Sequence, residues 1–435
     1  MNRREFLITS STLALPWQFT FANTTEFKMP VISESQLPVL TEAWKSYLAA
    51  LDEMRKMLES QPRFDHEDHQ AKAYHVMMEI QAMAYNYVIA PRKGHPRVLL
   101  NTGWQTDIYT LGSPAPDFLY GIFMADGQQT YRLSGRVGDL KLFMVNTHNG
   151  VMGDEGFKFL KNYDMLAFEI NEDGTYEVII SAKEHEGNWI KLDPNSSYQF
   201  LNVRRALGDW NGDPGEIRVE LVDDSSAEDY LHEEFDHAAM AARIRKAEAF
   251  VRYILGLWVV GLYDMYMKQS EGQKNVFKPF PGDFTDLASW SSSYALGIYS
   301  VQPGEALLVE FEEPIDGQFW SFQLTDVWSR PLPFASRLTS SNMVTAKSDP
   351  DGKIRFILSH KDPGYYNWLD TCGWTEGSLI VRNYQGKNDP KIKATIVPLN
   401  QLGSVMPSDA VRASAEERSA TITGRRLAWQ NLLGE

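Results

Sequence analysis

Residues 351–374 read Asp-Gly-Lys-Ile-Arg-Phe-Ile-Leu-Ser-His-Lys-Asp-Pro-Gly-Tyr-Tyr-Asn-Trp-Leu-Asp-Thr-Cys-Gly-Trp, and the chain then enters Gly377-Ser378-Leu379-Ile380-Val381-Arg382. Much of this stretch has a second version. Residues 173–182 read Asp-Gly-Thr-Tyr-Glu-Val-Ile-Ile-Ser-Ala, followed by Glu186-Gly187-Asn188-Trp189-Ile190 and then Phe200-Leu201-Asn202-Val203-Arg204. In both places an Asp-Gly turn opens an apolar run of strand length, an Asn-Trp pair follows, and a Val-Arg ends the next strand. The pattern predicts a duplicated β unit, with Asn188 equivalent to Asn367, Trp189 to Trp368 and Arg204 to Arg382.

Outward from the first copy, Pro96 to Val222 has a period of two in short segments. Strands are expected at Val98–Asn101, Asp107–Leu111, Tyr120–Met124, Gln129–Ser134, Lys141–Asn146, Met165–Ile170, Thr175–Ser181, Tyr198–Val203 and Ile217–Leu221. Turn formers such as Asp126-Gly127, Asp173-Gly174 and Asn211-Gly212-Asp213-Pro214 separate them. Outward from the second copy, strands are expected at Ala306–Phe311, Phe319–Thr325, Lys353–Ser359 and Ser378–Asn383. Helical spacing places Leu37, Leu40, Trp44, Leu48, Leu51, Met54 and Leu58 on one face of a helix over 34–60, and Met77, Ile80, Ala84 and Tyr87 on one face of a second over 67–90. A long helix over 227–268, capped by Ser226, loses its charged face near residue 253, so its second half is expected to be buried between the β units.

The expected fold is therefore mainly β with helical additions (α+β): two related jelly-roll or sandwich-like units. The divisions are a signal segment 1–22, a helical hairpin 23–95, a first β unit 96–225, a long helix and Pro-rich linker 226–285, a second β unit 286–400 and a polar tail 401–435.

With 435 residues, the chain exceeds one ordinary domain, and 43% hydrophobic content with 12 Trp supplies a core. The net charge of -15 argues against nucleic acid as a partner, because phosphate binding needs clustered Lys and Arg. The start, Met1-Asn2-Arg3-Arg4-Glu5-Phe6-Leu7-Ile8, leads into an apolar stretch ending at small residues near Ala22. It resembles a twin-arginine export signal, which implies a periplasmic or secreted protein. No later stretch reaches the roughly 20 apolar residues of a spanning helix. A single cysteine, Cys372, excludes an intrachain disulfide.

The second unit is similar to the bacterial family of domain of unknown function 1214. The residues that carry the resemblance are Phe319-Trp320-Ser321-Phe322-Gln323-Leu324, Asp351-Gly352, Asn367-Trp368-Leu369 and Val381-Arg382. Related signals in Tyr131–Gly138, Gly187-Asn188-Trp189, Val203-Arg204 and Asp209-Trp210 make the first unit resemble the related 1254-type unit. The resemblance implies a jelly-roll-like β fold with helical additions and brings no agreed activity. Asp370 stands where the commoner form, Asn-Trp-Leu-Pro, has proline.

Chemistry-bearing residues concentrate in the second copy. Trp320, Trp368, Trp374 and Arg382 are the candidate ligand-binding set, and His360, Asp370 and Glu376 the candidate acid–base set. Two functions follow: a cofactor-independent enzyme acting on a small apolar or polyhydroxylated molecule, or a binding protein using the aromatics as platforms for a glycan or lipid. Arg382 also has an architectural reading, as one half of a buried ion pair. No cofactor or metal is expected. Asp65, His66, Asp68 and His69 sit at a helix start, where acidic groups serve the first N–H donors, and His232 and His237 are five apart rather than the four a shared metal needs on a helix. No Gly-x-Ser-x-Gly or phosphate loop is present.

Overall fold

The computed structural model describes residues 37–91, 96–100, 112–222, 236–279 and 292–433. The export-like segment, the strand expected at Asp107–Leu111, the Ser226 cap, His232 and linker residues 280–285 lie outside the described residues.

Among the described residues each β unit is a two-sheet sandwich of eight strands in the same order. The first comprises β2 (Phe118–Ala125), β3 (Tyr131–Arg136), β4 (Leu142–His148), β5 (Phe159–Asp164), β6 (Thr175–Ser181), β7 (Trp189–Lys191), β8 (Gln199–Ala206) and β9 (Glu216–Leu221), with β1 (Leu99–Leu100) added at one edge. The second comprises β10 (Ser292–Ser300), β11 (Glu305–Phe311), β12 (Phe319–Thr325), β13 (Ser340–Asn342), β14 (Arg355–Ser359), β15 (Trp368–Asp370), β16 (Glu376–Tyr384) and β17 (Ile392–Pro398). Sheet orders are β1-β2-β8-β4-β5 with β7-β6-β3-β9, and β10-β16-β12-β13 with β15-β14-β11-β17. Apart from β1, the orders match strand for strand.

The registers match as well. The single parallel pairing of each sandwich joins Ile179 to Trp189 in one and Ile357 to Trp368 in the other. Arg204 lies between Tyr120 and Met144, and Arg382 between Tyr294 and Ser321. Asn188 Nδ2 donates to the Glu169 and Glu177 carbonyls, and its Oδ1 accepts from Glu169 N–H. Asn367 Nδ2 donates to Lys347 O and Arg355 O, and its Oδ1 accepts from Lys347 N–H. The indole N–H groups complete the clasp: Trp189 donates to Ser181 O and Trp368 to Ser359 O, each at 3.2 Å. The repeated Asn-Trp thus supplies bonds that a three-residue edge strand cannot make by itself. Each copy also opens on a glycine with φ +81°, Gly174 or Gly352, a conformation that side chains with a Cβ resist.

Strand alternation sends one face of every central strand into its own sandwich. Phe123, Leu133, Val145, Ile180 and Val203 meet in the first core, and Val309, Phe322, Phe356, Leu379 and Val381 in the second. The opposite faces of β2-β8-β4 and β10-β16-β12 are buried too, so these strands are covered on both sides. Helices provide much of the cover. α1 (Leu37–Glu59), α2 (Glu67–Ala84) with its π-helical extension Tyr85–Ile89, and α3 (His237–Tyr253) form a layer whose Val76, Ile80, Tyr87, Phe250 and Val251 share a core with Ile122, Met124 and Phe200. A wide π-helical segment, Ile254–Gly261, leads into α4 (Leu262–Gln269), which lays Leu262, Met265 and Tyr266 on Tyr294, Leu296, Ile298 and Ile380 of the second sandwich. Arg63 holds the widened turn. Its guanidinium donates to Val259 O at 3.2 Å and sits 4.4 Å from the Tyr263 ring and 4.7 Å from that of Trp328. No described helix is long and apolar enough to cross a membrane.

Several expectations are corrected. α1 does not bury Trp44 and Leu48, which are 52% and 48% exposed; Ala43, Ala50, Met54 and Leu58 face inward, because small residues let α1 approach α3 closely. Met165–Ile170 is not a strand: Met165–Ala167 is a single 3-10 turn, and the strand precedes it as β5. The described part of the long helix begins at His237, where Asp236 Oδ1 accepts from Ala239 N–H at 2.7 Å. The tail is the helix α5 (Ala415–Leu433), opened by a capping box in which Ser414 Oγ accepts from Glu417 N–H and Glu417 Oε2 from Ser414 N–H.

The matched clasps predict matched energetics. Asn188→Ala and Asn367→Ala each remove three side-chain bonds at a largely exposed edge, where water replaces them in part, and each is expected to lower stability by about 0.5–1.5 kcal/mol in urea unfolding. A loss confined to one of the two variants contradicts a shared role.

Candidate functional site

Trp368 stands at the start of β15, with its N–H committed to Ser359 O. The Arg418 guanidinium lies 5.6 Å from its ring centre. Arg418 anchors α5 beside this edge. It donates to Asp362 Oδ2 at 3.0 Å, to Tyr366 O at 2.6 Å and to Tyr365 O. Further along the helix Arg425 donates to Phe334 O and, at 2.8 Å, to Ser340 Oγ. Trp429 is buried against Trp210 and Phe334, at centroid distances of 5.3 and 5.0 Å. α5 therefore bridges the loops of both sandwiches.

Beneath α5 lie two adjoining lobes of a cleft. One, of about 300 Å³, is lined by Trp368, Asn367, Tyr366, Phe356, Ser340 and Arg418 among others. The other, of about 230 Å³, is lined by Asp117, Gly208, Trp210, Asn211, Gly424 and Ala428. Asp209, Thr345, Thr421 and Arg425 line both. Gly424 borders the second lobe from an exposed position on the helix, where an added Cβ has nothing within 4 Å.

Asp117 is the chemically distinctive wall. Only 3% exposed, it accepts on Oδ1 from Trp210 Nε1 at 3.1 Å and from Asn342 Nδ2 at 2.7 Å, whereas its Oδ2 has no partner among the described residues. Burial pushes this carboxyl up to about 6, against the opposing pull of the Asn342 bond and the Arg425 charge. Arg425, packed 4.3 Å from the Trp210 ring, is pulled down to about 10 by burial and stays charged at neutral pH. Asn342 fixes the junction: it also donates to Gly208 O at 2.9 Å, so one side chain ties the second sandwich to two points of the first.

The residues singled out from sequence do not converge on one cleft. Trp368 lines the larger lobe. Trp320 is in the second core, edge-on to Phe311 and Phe356. Trp374 stacks on His69 of α2 at 5.1 Å, with Lys72 5.9 Å from its ring. His360 Nε2 lies 2.9 Å from Val301 O. Asp370 is buried, paired with Arg337 at 2.5 Å and accepting from Cys372 N–H at 2.7 Å. Glu376 accepts from the Tyr263 hydroxyl and pairs with Lys274. Arg382 is six residues from Glu376 along β16, a rise of roughly 20 Å. Its guanidinium forms no ion pair with a described carboxylate, donating instead to Gln323 Oε1 and Ser113 O, so the architectural pairing is not what holds it. The Cys372 thiol is pushed up to about 12 by burial and the nearby Asp370 charge, which removes it as a nucleophile near neutral pH. Among the described residues no group of His, Cys, Asp or Glu is arranged to hold a metal.

Residues 305–388 match the model of the family described as Protein of unknown function (DUF1214). The second sandwich carries a DUF1214 domain. The DUF1214 match takes in β11 through β16, hence Trp368, the clasp and Arg382, while Asp117, Trp210 and α5 fall outside it. The chain shares its fold with an uncharacterized protein from Burkholderia cenocepacia of known crystal structure, at 21% identity and a TM-score of 0.74, over 84% of this chain and 99% of that one. A protein from Vibrio parahaemolyticus aligns over 83% of this chain and 100% of its own at 12% identity, with a TM-score of 0.41. No curated protein matches.

The position of Asp117 has a measurable consequence. An unfolded Asp loses its proton near pH 3.9, whereas the folded carboxyl keeps it to about 6, so ionisation across that window weakens the fold. Asp117→Asn retains the Oδ1 acceptor and removes the ionisation. The variant is expected to match the wild type near pH 4 and to gain on the order of 3 kcal/mol relative to it by pH 7, read from urea titrations at several pH values. A difference independent of pH shows that Asp117 is ionised without penalty.

Proposed function

We propose that this is an exported binding protein that holds a small polyhydroxylated molecule, such as a saccharide, in the cleft beneath α5. The observation that carries the reading is that Asp117, a residue lining the smaller lobe, holds a buried Oδ2 without a partner among the described residues, because a buried acceptor left unmade is costly and a hydroxyl donated to it from the lobe offsets that cost. The adjoining lobe adds the Trp368 ring as a surface for a sugar face, with Asn367 and Ser340 as hydrogen-bonding groups. The lining is mixed in charge, with Arg425 and Asp209 on the shared wall and Glu417 in the larger lobe, and neutral hydroxyls form hydrogen bonds with groups of either sign. Lobes of about 230 and 300 Å³ suit a small ligand, at the lower end of the roughly 300–1,000 Å³ of small-molecule sites.

Binding is favoured over catalysis by the scatter of His360, Asp370 and Glu376 away from the cleft, which removes the expected acid–base set from it; the carboxylates that line it besides Asp117 are Asp209 and, in the larger lobe, Glu417. Export rests on the Arg3-Arg4-Glu5-Phe6-Leu7 start and on a chain with one cysteine, whose folding needs no disulfide.

Calorimetric titration of the purified protein with monosaccharides, disaccharides and linear polyols, alongside simple amines, tests the ligand class. Affinity for at least one hydroxylated compound and none for the amines is expected. Trp368→Ala and Asp117→Asn are expected to weaken it about tenfold, and Gly424→Leu, which fills the smaller lobe from an exposed helix position, to abolish it. Retention of full affinity in all three variants places the ligand elsewhere.

Export has its own readout. Cell fractionation is expected to find the protein in the periplasm or medium, and replacement of Arg3 and Arg4 by Lys to hold it in the cytoplasm. Unchanged distribution after that replacement rules out the twin-arginine route.

A further inference from the structure

The faces of β2-β8-β4 and β10-β16-β12 that point away from their own cores contain a second polar centre, distinct from the cleft beneath α5. Arg382 is at its middle, 7% exposed. Its position on β16 places it on the same face as Ile380, which packs under α4, and Tyr384, which packs on Phe118 of the first sandwich at 4.9 Å. A guanidinium carries five N–H donors. Two are accounted for by Gln323 Oε1 and Ser113 O, and both acceptors are uncharged. Tyr384, Tyr120, Tyr294 and Tyr266 surround the charge. Burial holds Tyr384 well above the ordinary phenol range and raises Tyr294 and Tyr266, so these three are neutral near pH 7 and do not offset it. Asp117, whose carboxyl feels Arg382, directs its bonds to Trp210 and Asn342 instead.

Directly across the sheet from Arg382 stands Ser321, fully buried, its Oγ without a partner among the described residues. The Tyr87 hydroxyl, also buried and partnerless among those residues, feels Tyr120 and Arg204 of the first sandwich. The equivalent arginine of the first sandwich, Arg204, approaches the same aromatic cluster, 6.0 Å from the Tyr120 ring and within the field of Tyr294 and Tyr384. Duplication has therefore brought two equivalent arginines to one seam between the sandwiches. A buried cation whose direct partners are neutral is stabilised by an anion, and a planar guanidinium matches a carboxylate in geometry as well as charge.

We propose that this seam is an anion site in which Arg382 and Ser321 bind the carboxylate of a small organic acid. Arg382 supplies charge-assisted N–H bonds, Ser321 a hydroxyl donor, and the tyrosine rings an apolar surround that suits the remainder of the acid. The site adjoins the proposed saccharide cleft, since Ser321 pairs with Asn342 and Asn342 bonds Asp117, but its ligand is opposite in character: an anion rather than a neutral polyol.

Thermal-shift and calorimetric titrations with acetate, benzoate, succinate and inorganic phosphate test it, with acetamide and benzamide as neutral counterparts and chloride at matched ionic strength. At least one carboxylate is expected to raise the melting temperature and bind with a measurable Kd, while the amides and chloride do neither. Arg382→Met is expected to lose binding, Arg382→Lys to keep part of it, and Ser321→Ala to weaken it about tenfold. Gly424→Leu is expected to leave carboxylate binding intact, and Arg382→Met to leave saccharide binding intact, so either site can fail without the other. Should Arg382→Met not fold, Ser321→Ala and the carboxylate–amide comparison on the wild type decide. Equal responses to benzoate and benzamide, or unchanged carboxylate affinity in Ser321→Ala and Arg382→Met, overturn the proposal, and selective response to phosphate alone overturns the carboxylate assignment.

Discussion

Everything in this architecture follows from two sheets that are buried on both faces. A free-standing β-sandwich buries only its inner faces and leaves alternate residues to water. Here β2, β4, β8, β12 and β16 are covered throughout, so each sandwich needs cover from outside itself. α1, α2 and α3 meet that need on the first sandwich and α4 on the second, and where the helices end the sandwiches cover one another through Phe118, Leu142, Met144, Phe319 and Tyr384. The uninterrupted run from α3 through the π-helical turn to α4 is what lets one helical stretch serve both units.

Such burial makes polar residues on those faces consequential. Arg382, Gln323, Ser321, Asn146 and Asn202 would be unremarkable on a solvated sheet; beneath helices and against another sandwich each needs a specific partner. Some have one, as Arg382 has in Gln323. Others, as at Ser321 Oγ, do not among the described residues.

Duplication kept the clasp and altered what surrounds it. Asn188-Trp189 and Asn367-Trp368 make the same bonds, which fixes a short parallel edge strand in each unit. Only the second clasp lies beside α5, whose Arg418 and Arg425 turn that edge into one wall of a cleft. The structural role is common to both copies; the cavity belongs to the environment of one.

The sequence alone determined what local pattern can encode: the two sandwiches with their equivalent Asn, Trp and Arg positions, the α2 face of Met77, Ile80, Ala84 and Tyr87, and most of the strands, because Asp-Gly turns and period-two runs act within a few residues. It misassigned the α1 face, since Ala43 and Ala50 carry little hydrophobic signal yet are fully buried. It also gathered His360, Asp370, Glu376 and Arg382 into one site, although a strand separates residues by about 3.3 Å each and sends neighbours to opposite faces. Asp117 was illegible in Pro114-Ala115-Pro116-Asp117, because its character comes from Trp210, Asn342 and Arg425, which are 93, 225 and 308 residues away. Only tertiary structure decided the sites, because the burial that shifts a carboxyl or leaves a hydroxyl partnerless is a property of the packed assembly and has no local signature in the chain.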